Sequence, residues 1–411
     1  MELLRFLTSG NVDDGKSTLI GRLLVDSGGI TKDEKAKLYQ KSRTPDVSRL
    51  LDGLKDEQEQ GITIDVAYRF FSTQSRRFII ADCPGHYQYT RNLLCAASQT
   101  DVALVIVDVT KGIQEQTRRH ISLLGMFQVP HIVFCINKMD AINFDQARFE
   151  TVKASIDEMP LSNSFKSISF IPLSALLGDN VVTKSLNMNW YKGPTLLKFL
   201  ETIEIPPLAA DHLRFVVQKS LLPSRDKSNG MRAYAGRLLS GQINIGQTVQ
   251  IFPGSFKTKI KSIFLGEQIL QTAKSPASVA IFLEDEFDLA RGSLITDPGT
   301  SPTTQPILQA QVFWLDANPA KSGMVYDFRQ STQDIKSQIT EILTTHPSRE
   351  ESNNNSSEIA YNNFGTITLK LAQNGWFDSF KENRNTGIFL LVDPVTHSTS
   401  GVGFISPTTS R

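Results

Sequence analysis

Gly10-Asn11-Val12-Asp13-Asp14-Gly15-Lys16-Ser17 constrains this chain more than any other stretch. It fits the pattern G-x-x-x-x-G-K-[ST]. Leu3-Leu4-Arg5-Phe6-Leu7 before it is an apolar run of strand length, and Thr18 to Leu24 after it has helical spacing. Strand, glycine-bounded loop and helix form the context that a phosphate-binding loop requires. Glycine lets the backbone wrap so that successive N–H groups point at phosphate oxygens. The helix N-terminus adds partial positive charge. In such a loop Lys16 reaches the terminal phosphates, and the Ser17 hydroxyl takes a place on Mg²⁺.

The loop sits in a chain of 411 residues, long enough for two to three domains. A net charge of +1 gives no global field that would gather nucleic acid or an anionic membrane. Cys83, Cys95 and Cys135 follow no metal-binding or C-x-x-C spacing, which suits a reducing compartment, and each is expected to be a small buried apolar residue. No apolar run approaches the ~20 residues that cross a bilayer. The first strand at Leu3 leaves no room for a signal peptide, so a cytoplasmic location is expected.

Residues 1–205 alternate strands and helices. Ile62 to Phe71 alternates in polarity, and Arg77 to Ala81 is a short strand. Val102 to Val107 and His131 to Ile136 are near-continuous apolar runs, as strands covered on both faces require. Gln114 to Phe127, Asp145 to Met159 and Thr195 to Ile203 read as helices, and Ile168 to Pro172 as the last strand. The expectation is an α/β domain with a mostly parallel sheet, helices on both faces and ligands at the strand carboxyl ends. Glu204 to Ala210 breaks this pattern. Short strand candidates with Gly and Pro punctuation then fill 212–300 and, after a linker at Asp297 to Pro302, 305–411. The first block reads as a small barrel or sandwich, and two all-β barrel-like domains are expected. Ser348 to Ser357, polar and asparagine-rich, reads as a hairpin tip. Arg225, Lys227 and Arg232 read as a solvated face.

Further motifs follow the expected strands. Asp82-Cys83-Pro84-Gly85-His86 closes the strand Arg77 to Ala81. Its aspartate can hold the hydration shell of Mg²⁺, and Gly85 lets a backbone N–H approach a γ-phosphate. Asn137-Lys138-Met139-Asp140 follows His131 to Ile136. An ionised Asp140 can only accept hydrogen bonds, so it pairs with the ring N–H and amino group of guanine. Adenine offers no such pair and would leave a buried carboxylate unsatisfied. Ser174-Ala175-Leu176 brings backbone N–H groups near the guanine carbonyl. Gly61-Ile62-Thr63-Ile64 reads equally as a turn or as a switch segment whose Thr63 hydroxyl joins Ser17 on Mg²⁺.

Motifs in this order resemble GTP-binding switch domains. The histidine after Asp82-Cys83-Pro84-Gly85 and the segment Gly61-Ile62-Thr63-Ile64 are similar to the translation-factor branch. Val12 to Leu24, Gly61 to Arg69, Gln88-Tyr89-Thr90-Arg91-Asn92, Gln116-Thr117-Arg118-Arg119-His120 and Trp190 to Leu197 narrow it further. Together they resemble the GTPase (large) subunit of bacterial sulfate adenylyltransferase, over nearly the whole chain. Tyr234-Ala235-Gly236-Arg237, Leu283-Glu284-Asp285-Glu286 and Glu382 to Gly387 carry the likeness into the β blocks. Thr344 to Tyr361 departs from it, and the adenylylsulfate kinase domain fused in some relatives is not expected.

The resemblance implies a heterodimer. A small, ATP-pyrophosphatase-like subunit joins ATP and sulfate into adenosine 5′-phosphosulfate and pyrophosphate. This chain binds and hydrolyses GTP, and its switch segments couple hydrolysis to the partner. GTP then occupies Gly10 to Thr18, Asp82 to His86, Asn137 to Asp140 and Ser174 to Leu176. Lys16 and His86 act in catalysis, His86 where other switch GTPases place the glutamine that orients the attacking water. Ser17 and Thr63 are expected as direct Mg²⁺ ligands, with Asp82 acting through water. A translation-type factor carrying tRNA shares the motifs, but the near-neutral charge and the lack of a basic tract argue against nucleic acid. A non-catalytic GTP-binding scaffold is opposed by the intact motif set.

Overall fold

The computed structural model describes residues 2–30, 65–161, 164–205, 212–221, 232–346 and 357–407. Gly61-Ile62-Thr63-Ile64, Arg225, Lys227 and nearly all of Ser348 to Ser357 lie outside the described residues. The chain divides into two compact units, Met1–Pro206 and Pro207–Arg411.

The first unit is a six-stranded sheet in the order β2-β3-β1-β4-β5-β6. Its strands are β1 (Leu3–Gly10), β2 (Ala67–Ser72), β3 (Arg77–Asp82), β4 (Val102–Asp108), β5 (His131–Asn137) and β6 (Ser167–Pro172). All neighbours pair in parallel except β2, which runs antiparallel to β3 at the edge. β4 and β5 are buried at every residue, which is why they read as unbroken apolar runs. Among the described residues its α-helices are α1 (Lys16–Asp26), α2 (Thr90–Ala97), α3 (Glu115–Met126), α4 (Gln146–Asp157) and α5 (Leu196–Thr202). Asp145 and Thr195 cap α4 and α5 by accepting from Ala147 N and Lys198 N. Leu19, Ile20, Leu23 and Leu24 of α1 and Leu196 and Leu200 of α5 pack on Leu4, Phe6, Phe78, Ile80 and Leu104 of the sheet. Side chains of this size each contribute about 1.5–3 kcal/mol by burial. β1 lies between β3 and β4, where the strand order changes direction, so the loop after it opens into the crevice at the sheet's carboxyl end.

Cys83 and Cys135 are buried as expected, but Cys95 is exposed. α2 turns Leu93, Leu94, Ala96 and Ala97 inward. Cys95 falls on the opposite face of that short helix. Among the described residues no helix is long and apolar enough to cross a membrane.

The second unit holds two antiparallel barrels, and the barrel alternative is the one realised. In the first, Thr248–Phe252 pairs with both Phe256–Leu265 and Leu294–Thr296, which closes the ring through Arg214–Leu221, Ala233–Ser240 and Ala277–Leu283. Phe215, Tyr234, Ile251 and Ile281 fill it. The second is closed from Thr303–Trp314, Phe364–Phe377, Gln333–His346, Val325–Gln330, Ile388–Val392 and Thr399–Ile405. Trp314, Phe328, Phe377 and Phe389 lie inside. Arg214 donates from Nε and Nη2 to both Asp378 carboxylate oxygens at 2.9 and 2.8 Å, which ties one barrel to the other.

Candidate functional site

The loop from Gly10 to Lys16 wraps back on itself. Asp14 Oδ2 accepts from Asn11 N at 3.0 Å. Gly15 precedes α1 with φ +94°, and a Cβ there would lie 2.4 Å from Asn137 Nδ2. The glycine is therefore required both by backbone conformation and by space. Lys16 is buried, and its Nζ donates to Asn11 O at 2.7 Å and Gly10 O at 3.4 Å. Burial lowers its pKa, while Asp82 and Asp14 oppose that shift. The ammonium is thus seated on backbone dipoles in the centre of the loop.

Asp82 ends β3, directly across from Thr8 of β1 in the parallel register. Thr8 Oγ1 donates to its Oδ1 at 2.7 Å and Ser17 Oγ to its Oδ2 at 3.1 Å. The sequence-predicted metal pair, Ser17 and Asp82, is therefore in contact; Thr63 lies outside the described residues. Gly85 follows closely on Asp82. A Cβ on it would come within 2.5 Å of Lys16 Nζ and 3.0 Å of Gly10 O. The lack of a side chain at Gly85 lets the segment after β3 lie close on the lysine of the first loop. His86 comes next, with Nδ1 accepting from Gln88 N at 3.4 Å and its ring 5.9 Å from Tyr89. Cys83 is buried beside Asp82, and burial raises its thiol well above the usual range.

Asn137, at the end of β5, joins the remaining loops. Its Nδ2 donates to Asp14 O at 2.8 Å, and its Oδ1 accepts from Ala175 N at 2.9 Å. One buried amide thereby spans the phosphate loop and the loop after β6. Lys138 sits at φ +63° and reaches Asp108 Oδ2 at 2.8 Å. Burial raises the Asp108 pKa, but bonds from Lys138 and Thr110 outweigh it, and the net shift is downward. Met139 is buried under the turn. Asp140 Oδ1 accepts from Ser174 Oγ at 2.5 Å, so the two predicted base-recognition loops meet. Leu176 is largely exposed, and its carbonyl accepts from Arg22 Nη2 at 2.5 Å.

Gln114, Gln116, His120 and Ser9 carry no role assigned from the sequence, yet they bear on the site. Gln114 Oε1 accepts from the Asn11 amide. His120 on α3 is fully buried, with Nδ1 2.9 Å from Ser9 Oγ and Nε2 2.8 Å from Gln116 Nε2. The available signal was a polar residue within the inward stripe of Thr117, Ile121 and Leu124.

The family described as elongation factor Tu GTP binding domain matches residues 1–217, and the GTP-eEF1A C-terminal domain-like family matches 307–406. Sulfate adenylyltransferase subunit 1 of Colwellia psychrerythraea is 39% identical, covering 98% of this chain and 88% of its own length. The protein of that name from Pseudoalteromonas atlantica is 40% identical over 98% of this chain and 87% of its own. The bifunctional enzyme NodQ of Rhizobium tropici is 40% identical over 98% of this chain, which spans 64% of that longer protein. Among solved structures, the GTP-bound Ski7 GTPase-like domain of S. cerevisiae superposes with a TM-score of 0.54 at 18% identity, covering 99% of this chain and 98% of that one. That likeness speaks to the fold alone.

Proposed function

This chain belongs to the sulfate adenylyltransferase subunit 1 family, with an elongation factor Tu-type GTP-binding domain, and we propose that it hydrolyses GTP to drive sulfate activation on a companion subunit. The companion joins ATP and sulfate into adenosine 5′-phosphosulfate and pyrophosphate. The observation that carries the reading is Asn137, whose amide binds both the loop around Lys16 and the loop holding Ser174 and Ala175. In this reading the amide links the loop that holds phosphate to the loop that holds the base.

Within it, the N–H groups from Asp13 to Thr18 and the Lys16 ammonium hold the phosphates. Asp140 accepts from the guanine ring N–H and amino group, with Ser174 fixing one of its oxygens. Adenine would leave that carboxylate short of donors. Mg²⁺ fits the donor set: Ser17 and Asp82 offer a hydroxyl and a carboxylate in contact, both hard oxygen ligands. Ser17 and Thr63 would hold it directly and Asp82 through water. When bound, it neutralises charge on the β- and γ-phosphates.

His86 supplies the positioning of the attacking water. Its Nδ1 accepts from Gln88 N and its ring lies beside Tyr89, and in this reading the ring rotates toward the phosphates for catalysis. Contact with the companion subunit drives that rotation in this reading. GTP can shift the companion's equilibrium only by the difference in its affinity for the two switch states.

The test is reconstitution. The chain, purified with the small ATP-pyrophosphatase-like subunit, should retain guanine nucleotide and raise adenosine 5′-phosphosulfate yield when GTP is added. No retention and no stimulation would overturn the proposal. Asp140→Asn should lower GTP affinity and favour xanthosine triphosphate, whose C2 oxygen suits an amide donor. An unchanged preference in a binding titration would remove Asp140 from base recognition.

A further inference from the structure

Lys16 is seated on the carbonyls of Gly10 and Asn11, and the residues on either side of Gly10, Ser9 and Asn11, are held by α3 and by the residue before it. Gln114 accepts from the Asn11 amide. On the other side of Gly10, Ser9 Oγ lies 2.9 Å from Nδ1 of His120. Ser9 and His120 are each 0% exposed, so water cannot substitute for either partner. On the far side of the ring, Gln116 Nε2 lies 2.8 Å from His120 Nε2. An amide nitrogen only donates, so His120 Nε2 is the acceptor. That assigns the ring proton to Nδ1, and Nδ1–H donates to Ser9 Oγ. Gln116 thus fixes the tautomer that grips the end of β1.

The arrangement needs a neutral imidazole. Burial, joined by the Lys16 charge nearby, lowers the His120 pKa to about 3. A phenylalanine would fill the same volume in the apolar stripe of α3. It would leave the Ser9 hydroxyl buried without this donor.

We infer that His120 is a positioning residue for phosphate binding: by holding Ser9 it fixes the Gly10 and Asn11 carbonyls on which Lys16 is seated. This rests on the GTP-binding reading above. Loss of the grip loosens the lysine and weakens affinity for the phosphates. Base preference should change less, because Asp140 and Ser174 follow β5 and β6 and meet each other directly.

Two near-isosteric variants separate the two ends of the ring. The side-chain nitrogen of asparagine falls near the position of Nδ1, whereas glutamine reaches the position of Nε2. His120→Asn keeps a donor for Ser9 and loses the contact with Gln116. His120→Gln does the reverse. Fluorescent GDP and GTP analogues are titrated against the full chain, with urea unfolding of the nucleotide-free protein alongside. For His120→Gln both nucleotides should bind roughly tenfold more weakly, the loss of one buried hydrogen bond. His120→Asn should stay within about threefold of the unaltered chain. Ser9→Ala should reproduce the His120→Gln loss and add nothing to it in the double variant.

Equal affinities for His120→Gln and the unaltered chain would overturn the inference. So would losses that follow unfolding midpoints rather than the Ser9 contact. Should the unaltered chain itself fail to bind guanine nucleotide, the GTP reading falls first, a result distinct from either of these.

Discussion

Lys16 in the first unit and Arg214 in the second are both buried cations, and the fold satisfies them in opposite ways. Arg214 meets a countercharge. Its guanidinium makes a two-pronged pair with Asp378 and donates once more to Leu213 O, while Thr386 also donates to Asp378. Lys16 meets backbone carbonyls at 2.7 and 3.4 Å, and among the described residues no carboxylate pairs with it. An ion pair cancels its own field and fixes geometry, which suits the joint between two barrels. An ammonium held by dipoles keeps its charge and its attraction for an anion, at a cost that shows as its lowered pKa. The difference separates scaffold from site without reference to any ligand.

That contrast can be broken at either end. Asp378→Ala strands a buried guanidinium and should cost about 3–5 kcal/mol of stability. Urea unfolding followed by tryptophan emission would show it, because Trp314 and Trp376 lie in that unit, with Trp190 in the other. GTP affinity should not change. Replacing both partners, as Arg214→Met with Asp378→Leu, should recover most of the loss. Lys16→Met should act in the reverse sense. GTP binding should fall by roughly 10²-fold or more, about 2.7 kcal/mol, as a charge-assisted phosphate contact is lost. The nucleotide-free chain should unfold at the same or a higher urea concentration. A strong destabilisation by Lys16→Met would mean that the lysine is scaffold after all.

His86→Ala should leave GTP affinity in place and lower turnover in the assembled complex by roughly 10²-fold. Single-turnover hydrolysis with the companion present is the measurement. The smallest effect concerns Asp14. Its pKa lies above the ordinary value of 3.8, raised by burial and only partly offset by Asn11 N–H and Lys16. A carboxyl whose folded pKa is raised gives stability that is complete below the unfolded value and lost as pH rises through the folded one. Asp14→Asn, which still accepts from Asn11 N, should therefore stabilise the nucleotide-free chain at neutral pH by roughly 1 kcal/mol or less. The advantage should vanish below pH 3.8 in a series of urea curves.

Much of this was legible in the residues. β4 and β5 are unbroken apolar runs because both faces are covered, and the site motifs stand just past strand ends because parallel sheets present their loops there. The ends of elements were less so. The strand expected at Gln309 to Leu315 begins at Thr303, because its polar first residues pair with Gly375 to Phe377 across a bulge. Cys95 was misplaced because composition does not say which face of an eight-residue helix points inward. The role of His120 is not legible in the residues, because its partner Ser9 lies more than a hundred residues away in the chain.

The sequence by itself determined the strand–loop–helix that cradles phosphate, the loops that follow it, and two β blocks behind a linker. These are local: a glycine that must take positive φ, an apolar period, a cap. Tertiary structure alone decided that Asn137 binds two loops with one amide, that Gly85 lies against Lys16, and that Arg214 finds Asp378. Each depends on a close approach between residues distant in the chain. Only the packing of strands and helices around a common core fixes such distances to within a hydrogen bond.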